Sequence, residues 1–393
     1  MEGKKEEYHK EEHKFHKKSI SQKFSLENIF VGLAILLGII LIINIALTFN
    51  LNQESKKGAE IAQERLKPAK IELAVIKNSK CNDCFDISTI TSHVKNANVD
   101  ITKEVMFEFD SNEGKSIINK YKIEKIPTVV VTGEIDKFQI QGLEKKENAL
   151  LLTRLEPPYT NAVTGKIEGR VILYNLKVSE CVKCNDLTPL INQIKGAGVK
   201  IYEEKIIEPS SNEGKELTKK YNIDFTPAII LSKDAVAYEI IQQAWPQIGS
   251  KESDGTYVLR VVSPPFINLT TGKLRGIVNI IYLADKSCSE CYDVSQHKEI
   301  LVNPQSFAVQ LDKEETYDIS DAKGKELIAK YNITQVPTVI LSEEINVYPS
   351  SQVLKQFFSI EKDGSYVFRT IQALGTYKDL TTNRVVQVQQ GEQ

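Results

Sequence analysis

Six cysteines occur in this chain, all in closely spaced pairs: Cys81 with Cys84, Cys181 with Cys184, and Cys288 with Cys291. Two thiols three residues apart can close into a disulfide and reopen, so a chain that uses every thiol this way suits dithiol–disulfide exchange. Counted from its first Cys, each pair is followed after 46, 46 and 49 residues by a Pro that opens an apolar run: Pro127, Pro227 and Pro337. The thiolate, not the thiol, attacks a disulfide, and a free Cys has a pKa of about 8.5. A first Cys placed at a helix amino terminus would have that pKa lowered by unpaired N–H groups and the helix dipole. Cys81, Cys181 and Cys288 are thus the expected nucleophiles, and Cys84, Cys184 and Cys291 the resolving thiols.

The elements that must position these residues are clearest around the second pair. Residues 171–176 read as a short strand, the pair follows after a brief loop, and residues 187–194 have helical apolar spacing. Residues 199–207 alternate as a strand, Ser210 with Glu213 reads as a capping box for a helix to Tyr221, and residues 228–231 form a buried strand after Pro227. A further strand is expected near 237–241, giving a β-α-β-α-β order with a continuation. The same unit recurs: residues 111–123, 211–223 and 321–333 share a Gly-Lys core and a Tyr (Tyr121, Tyr221, Tyr331) six residues before the Pro. The cysteine pairs recur at intervals of 100 and 107 residues, too long for a solenoid repeat, so each copy is expected to bury its own core.

These motifs resemble the thioredoxin superfamily. Tyr-x-Ile-x-x-x-Pro-Thr stands at 121–128 and 331–338, and at 221–228 with Ala228 in place of Thr; Pro189 matches the family's first-helix kink in the second copy alone. The resemblance covers roughly residues 70 to 380. It implies an α/β fold class: three tandem thioredoxin-like domains, each a central mixed sheet with flanking helices, after one N-terminal transmembrane helix. It implies catalysis by the six cysteines and no cofactor. It also implies that Ile126 with Pro127, Thr226 with Pro227, and Val336 with Pro337 bind substrate, a cis Pro letting main-chain groups pair with an extended segment. The sequence departs from the family in several places. Lys80, Glu180 and Ser287 stand where a Trp precedes the first Cys, and Val75, Asn175 and Tyr282 stand where a buried acid is common. Residues 254–260 and 363–369 read as a turn plus strand where the family has a long last helix.

Residues 29–49 carry no charge over 21 positions, enough to span about 30 Å of hydrocarbon, and no cleavage site follows. The expected organisation is a cytoplasmic tail (1–28), transmembrane helix (29–49), stalk (50–68), and domains at 69–157, 158–264 and 265–393, with Pro157-Pro158 and Pro264-Pro265 marking boundaries. The Lys excess before the span is slight, and cysteine usage is what places the repeats outside the cytoplasmic membrane. Asn268 and Asn332 begin glycan-acceptor tripeptides, weak support for the same side. Fifty basic against 52 acidic residues, with no basic stripe, exclude nucleic acid as partner. His9, His13 and His16 share a helical face in the tail, but such a mixed-charge run reads first as solvated chain, and no metal site is assigned.

The expected function is thus membrane-tethered thiol–disulfide oxidoreduction or isomerisation of extracytoplasmic protein disulfides, with protein thiols as substrates and a membrane redox partner as electron source or sink. The competing readings are permanent structural disulfides, a thiolate metal handler, and a non-catalytic client-binding array. Lys183 between the middle cysteines favours a thiolate whereas Asp83 and Glu290 oppose one, so the middle pair is expected to be the more oxidising. Asp86, Asp186 and Asp293, two residues after each second Cys, are expected to complement a helix start rather than accept protons.

Overall fold

The computed structural model describes residues 26–388. Its first element is a 41-residue helix, Leu26–Leu66. Apolar side chains from Val31 to Leu51 are exposed along it, and among the described residues it is the one helix long and apolar enough to cross a membrane. The expected stalk is a continuation of this helix, because residues 50–66 are rich in good helix formers and the first Pro comes at Pro68. The histidines of the tail lie outside the described residues.

Three α/β units follow, each built on a five-stranded sheet of the same order. In the first unit the order is Val99–Glu108, Ala69–Lys77, Thr128–Gly133, Ala149–Leu152 and Leu143–Lys146. Its first two strands are parallel, joined through the helix Ser88–Asn96, and its other neighbours are antiparallel. The strand after each Pro is central and covered on both faces, which is why it reads as an unbroken apolar run. Successive side chains alternate: Ile229 and Leu231 pack with Leu173 and Trp245 on one face, Ala228 and Ile230 with Leu176, Tyr221 and Val258 on the other.

The repeated Gly-Lys segment opens a helix in every unit: Asn112–Tyr121, Asn212–Lys220 and Ala322–Tyr331. The cap in the second unit is Ser211, not Ser210; its Oγ accepts from the Gly214 N–H at 2.9 Å. The Gly is required by close packing. A Cβ on Gly114, Gly214 or Gly324 would stand 2.2, 2.0 and 2.0 Å from the carbonyl oxygen of Glu108, Glu208 and Asp318.

Two expectations are corrected. The strand near 237–241 is instead a 3-10 turn, Lys233–Ala237, followed by a short helix, Glu239–Ala244; its mixed apolar spacing served either period. The double prolines do not end the folded units. Beyond them lie hairpins, Tyr159–Asn161 with Ile167–Glu168 and Phe266–Asn268 with Lys273–Arg275, that pair back onto the preceding unit at Lys125–Ile126 and Phe225–Thr226. The third unit repeats this with Tyr377–Asp379 and Arg384–Val386 on Gln335–Val336. The folded units therefore extend past 157 and 264 to about Gly169 and Gly276, positions at positive φ where a Cβ would meet the Pro157 or Pro264 ring carbon at 2.4 Å. Residues 254–260 and 363–369 form the expected turn and strand, with strands Tyr257–Leu259 and Tyr366–Phe368.

Candidate redox sites

All three pairs are closed as disulfides, with Cα separations of 5.4, 5.4 and 5.5 Å. Each lies in a turn after the first strand of its unit. A carboxylate at or near the end of the neighbouring strand pins that turn from below. Glu108 accepts the Ser79 N–H at 3.0 Å, Glu208 the Ser179 N–H at 2.8 Å, and Asp318 the Lys286 N–H at 2.7 Å, always two residues before the first Cys. These bonds hold the carboxyls of Glu108 and Asp318 below the usual range, Asp318 to about 2, where the Ser320 hydroxyl contributes most. The sequence reading missed these acids. Their signal was present, since each stands three residues before Ser111, Ser211 or Asp321.

The cysteines do not crown a helix, contrary to expectation. The helices begin at Ser88, Thr188 and Gln296, four or five residues after the second Cys, and Pro189 sits in the first turn and starts the second of them without a kink. The cause is non-local: the N–H after each second Cys, on Phe85, Asn185 and Tyr292, is taken by a carbonyl from just before the hairpin, Pro158, Pro265 and Thr376, at 3.0, 2.7 and 2.9 Å. The dipole's help to the first Cys is correspondingly reduced, because it falls off within the first turn. Asp86, Asp186 and Asp293 accept the N–H of Ser88, Thr188 and Ser295 at 2.9 Å each, as helix-start acceptors. Those bonds hold the carboxyls of Asp86 and Asp293 low, and the Thr188 hydroxyl, joined by its N–H, does so for Asp186.

The Pro residues close the other side. The peptide bonds Ile126-Pro127, Thr226-Pro227 and Val336-Pro337 are cis, and all six residues are buried. Ile126, Thr226 and Val336 pair with Thr160, Ile267 and Lys378 of the hairpins. In the first unit the hairpin strand paired with Ile126 reaches the sulfurs: Thr160 Oγ1 lies 3.9 Å from Cys84 Sγ and accepts from Asn78 Nδ2 at 2.9 Å. In the third unit the Tyr292 hydroxyl, next to Cys291, donates to the Pro337 carbonyl at 2.8 Å, with His297 Nε2 at 3.0 Å. Burial holds His297 at a pKa of about 4, so it is neutral at pH 7.

Two positions differ in kind among the units, one three residues before the first Cys and one on the hairpin. In the first unit they are a bonded polar pair, Asn78 and Thr160 at 2.9 Å, and in the second they are Val178 and Ile267. In the third they are an ion pair, Asp285 bonded to Lys378, both largely buried. The third residue of every pair motif is also held by chain from beyond its unit's sheet: Asp83 by Arg170, Lys183 by Asp312 at 2.7 Å, and Glu290 by Gln387 at 3.0 Å. Two of the three charges invoked for a more oxidising middle pair, Asp83 and Lys183, are thus met by an opposite charge, whereas Glu290 is bonded to a neutral amide. Among the described residues no group of three or more His, Cys, Asp or Glu side chains is gathered for a metal.

No family model and no curated protein matches this chain. Solved structures to which it is similar include the alkylhydroperoxide reductase AhpF of Enterococcus faecalis, at 15% identity over 46% of this chain and 89% of that one, TM-score 0.14. Human ERp44 matches at 12% identity over 75% of this chain and 84% of that one, TM-score 0.13. ERdj5 matches at 13% over 70% of this chain, spanning 37% of its own length, TM-score 0.14. Likenesses at these scores carry no argument about this chain.

Proposed function

We propose that this protein is a membrane-tethered thiol–disulfide exchange protein of the thioredoxin type, with three sites acting on protein disulfides outside the cytoplasm. In the reducing direction the first thiolate of a pair, at Cys81, Cys181 or Cys288, attacks a client disulfide and displaces one client thiolate, leaving a mixed disulfide. The second thiolate, at Cys84, Cys184 or Cys291, then attacks that first sulfur, releases the other client thiolate and closes the pair. Two electrons pass from the dithiol to the client, and the reverse sequence oxidises a client dithiol. The observation that carries this reading is threefold repetition: each Cys-x-x-Cys disulfide sits on a turn pinned by an acid, and in each unit the strand before the cis Pro is paired with a hairpin, whose Thr160 stands 3.9 Å from Cys84 Sγ in the first unit. A permanent staple would gain little here, since a loop of this size removes little chain entropy.

Capture in cells tests the proposal. Cys84→Ala, Cys184→Ala and Cys291→Ala should each accumulate mixed disulfides through the remaining Cys, and a second Ala at that Cys should abolish them. After reduction on intact cells, a membrane-impermeant thiol label should reach the remaining first Cys of each variant. No mixed disulfides from any of the three variants would defeat the exchange reading.

One observation favours a second reading, an array that binds clients without turnover. The main-chain edge before each Pro, where an extended client would pair, is already filled by the unit's own hairpin. Client binding that persists with all six cysteines replaced would select it.

A further inference from the structure

The first site differs from the other two by a cation brought from outside its unit. Arg170 lies between the first unit's hairpin and the second unit's first strand, Val171–Leu176. Its Nε donates to Asp83 Oδ2 at 2.9 Å, its Nη2 is bonded to Asp83 Oδ1, and Nη2 stands 3.9 Å from Cys81 Sγ. The exposed Tyr202 ring lies 5.1 Å from the guanidinium carbon and holds it in place. Asp83 Oδ1 is itself 3.6 Å from Cys81 Sγ, so without the guanidinium the sulfur would face an uncompensated carboxylate. The remaining neighbours are accounted for: Glu108 is bound by Ser79, Lys80 is exposed, and the Tyr238 hydroxyl is bonded to the Gly169 carbonyl. At the matching place before the third unit stands Ile277; the second site's own cation, Lys183, is bonded to Asp312 at 2.7 Å.

We propose that Arg170 is a catalytic residue of the first site: its guanidinium offsets the Asp83 carboxylate beside the sulfur and donates toward Cys81 Sγ, so that the Cys81 thiolate forms more readily than it would without Arg170. This rests on reading Cys81 as the exchange nucleophile. A cation within about 4 to 6 Å favours an ionised group, and a Cys beside Arg or Lys is the ordinary case of an activated thiol. The arrangement also couples the first site to the second unit, because the Tyr202 ring packs against the guanidinium.

The test is the pH dependence of iodoacetamide alkylation at Cys81, read by mass spectrometry in the reduced full-length protein carrying Cys84→Ala. Arg170→Gln should slow alkylation at pH 7 about tenfold, with its midpoint raised by about one unit. Asp83→Asn should move the midpoint the opposite way, and Arg170→Lys should keep most of the wild-type rate. Alkylation of Cys181, in a background with Cys184→Ala, should be unchanged by Arg170→Gln. An unmoved midpoint, or equal losses in Arg170→Gln and Arg170→Lys, would overturn the assignment. A shifted midpoint in a protein that captures no client would uphold Arg170 and defeat the exchange reading instead.

Discussion

Asp285 and Lys378 show at the residue scale how unequal the three sites are. Burial works against the Asp285 charge, yet Lys378 and the Ser287 hydroxyl and N–H together hold its carboxyl below the usual range. Its side chain is 5% exposed and that of Lys378 16%, so the pair is shielded from solvent screening. Removing one partner of such a pair strands a buried charge, which costs about 3 to 5 kcal/mol. Lys378→Met should therefore destabilise the third unit by about that amount at pH 7, measured by denaturant unfolding. The sign with pH follows from the depressed carboxyl. The pair's contribution is present above the unfolded Asp pKa of about 3.9 and is lost as pH falls through the lower folded value. The deficit of Lys378→Met should hence shrink as pH falls below about 4, and a deficit independent of pH would show that Lys378 acts by packing alone. No sequence pattern announced this pair. Its members are 93 residues apart, and its counterparts in the other units carry no charge.

Elements whose cause is local were legible; those shaped by distant chain were not. The cysteine pairs, the apolar strand after each Pro and the helix before it follow from spacing over a dozen residues, and the structure has all of them. The delayed helix start was not readable, because the N–H of Phe85 is taken by Pro158, 73 residues on. The hairpins belong to the unit before the double Pro for the same reason, a pairing with distant chain that no local spacing reveals. The repeated Gly was visible, but its function is evident only from packing. Gly114 lies within the helix Asn112–Tyr121, where Ala would ordinarily stabilise by about 1 kcal/mol. Here a Cβ would stand 2.2 Å from the Glu108 carbonyl oxygen, on the residue whose carboxylate pins the first redox turn. Gly114→Ala should instead destabilise the first unit by about 1 to 3 kcal/mol, as overpacking does, and should loosen protection of the Ser79 amide in hydrogen exchange. A stabilised variant would mean that helix and strand separate freely.

For the whole molecule, the repeat breaks its own pattern at one place that explains how the units are joined. Eleven residues after each Pro stand Phe138, Tyr238 and Tyr348. The Tyr238 hydroxyl donates to the Gly169 carbonyl at 2.7 Å and accepts the Lys200 N–H at 3.1 Å; Tyr348 does the same with Gly276 and Gln310 at 2.7 and 2.9 Å. Gly169 and Gly276 end the hairpins of the preceding units, so each hydroxyl fastens one unit to the last. Before the first unit stands the helix Leu26–Leu66 rather than another α/β unit, and there the ring is Phe138, without the hydroxyl. Arg275 and the Gly276 N–H add a second tie to Glu344 of the third unit, at 2.9 and 2.6 Å. The sites are thus carried on a jointed stack in which each Cys-x-x-Cys turn meets chain from the next segment, as Asp83 meets Arg170 and Lys183 meets Asp312. Tyr238→Phe leaves a buried carbonyl and N–H without their partner, which costs about 1 to 3 kcal/mol each. It should lower the stability of the junction between the first two units and split their unfolding into separable steps, visible in calorimetry. It should also weaken the hold of Arg170 on the first site, which the same iodoacetamide titration of Cys81 would report as a smaller rate loss than Arg170→Gln gives. Phe138→Tyr should change neither. If Tyr238→Phe leaves both the unfolding and Cys81 untouched, the first two units are fastened by their packed surfaces, and the hydroxyl is dispensable to the redox site.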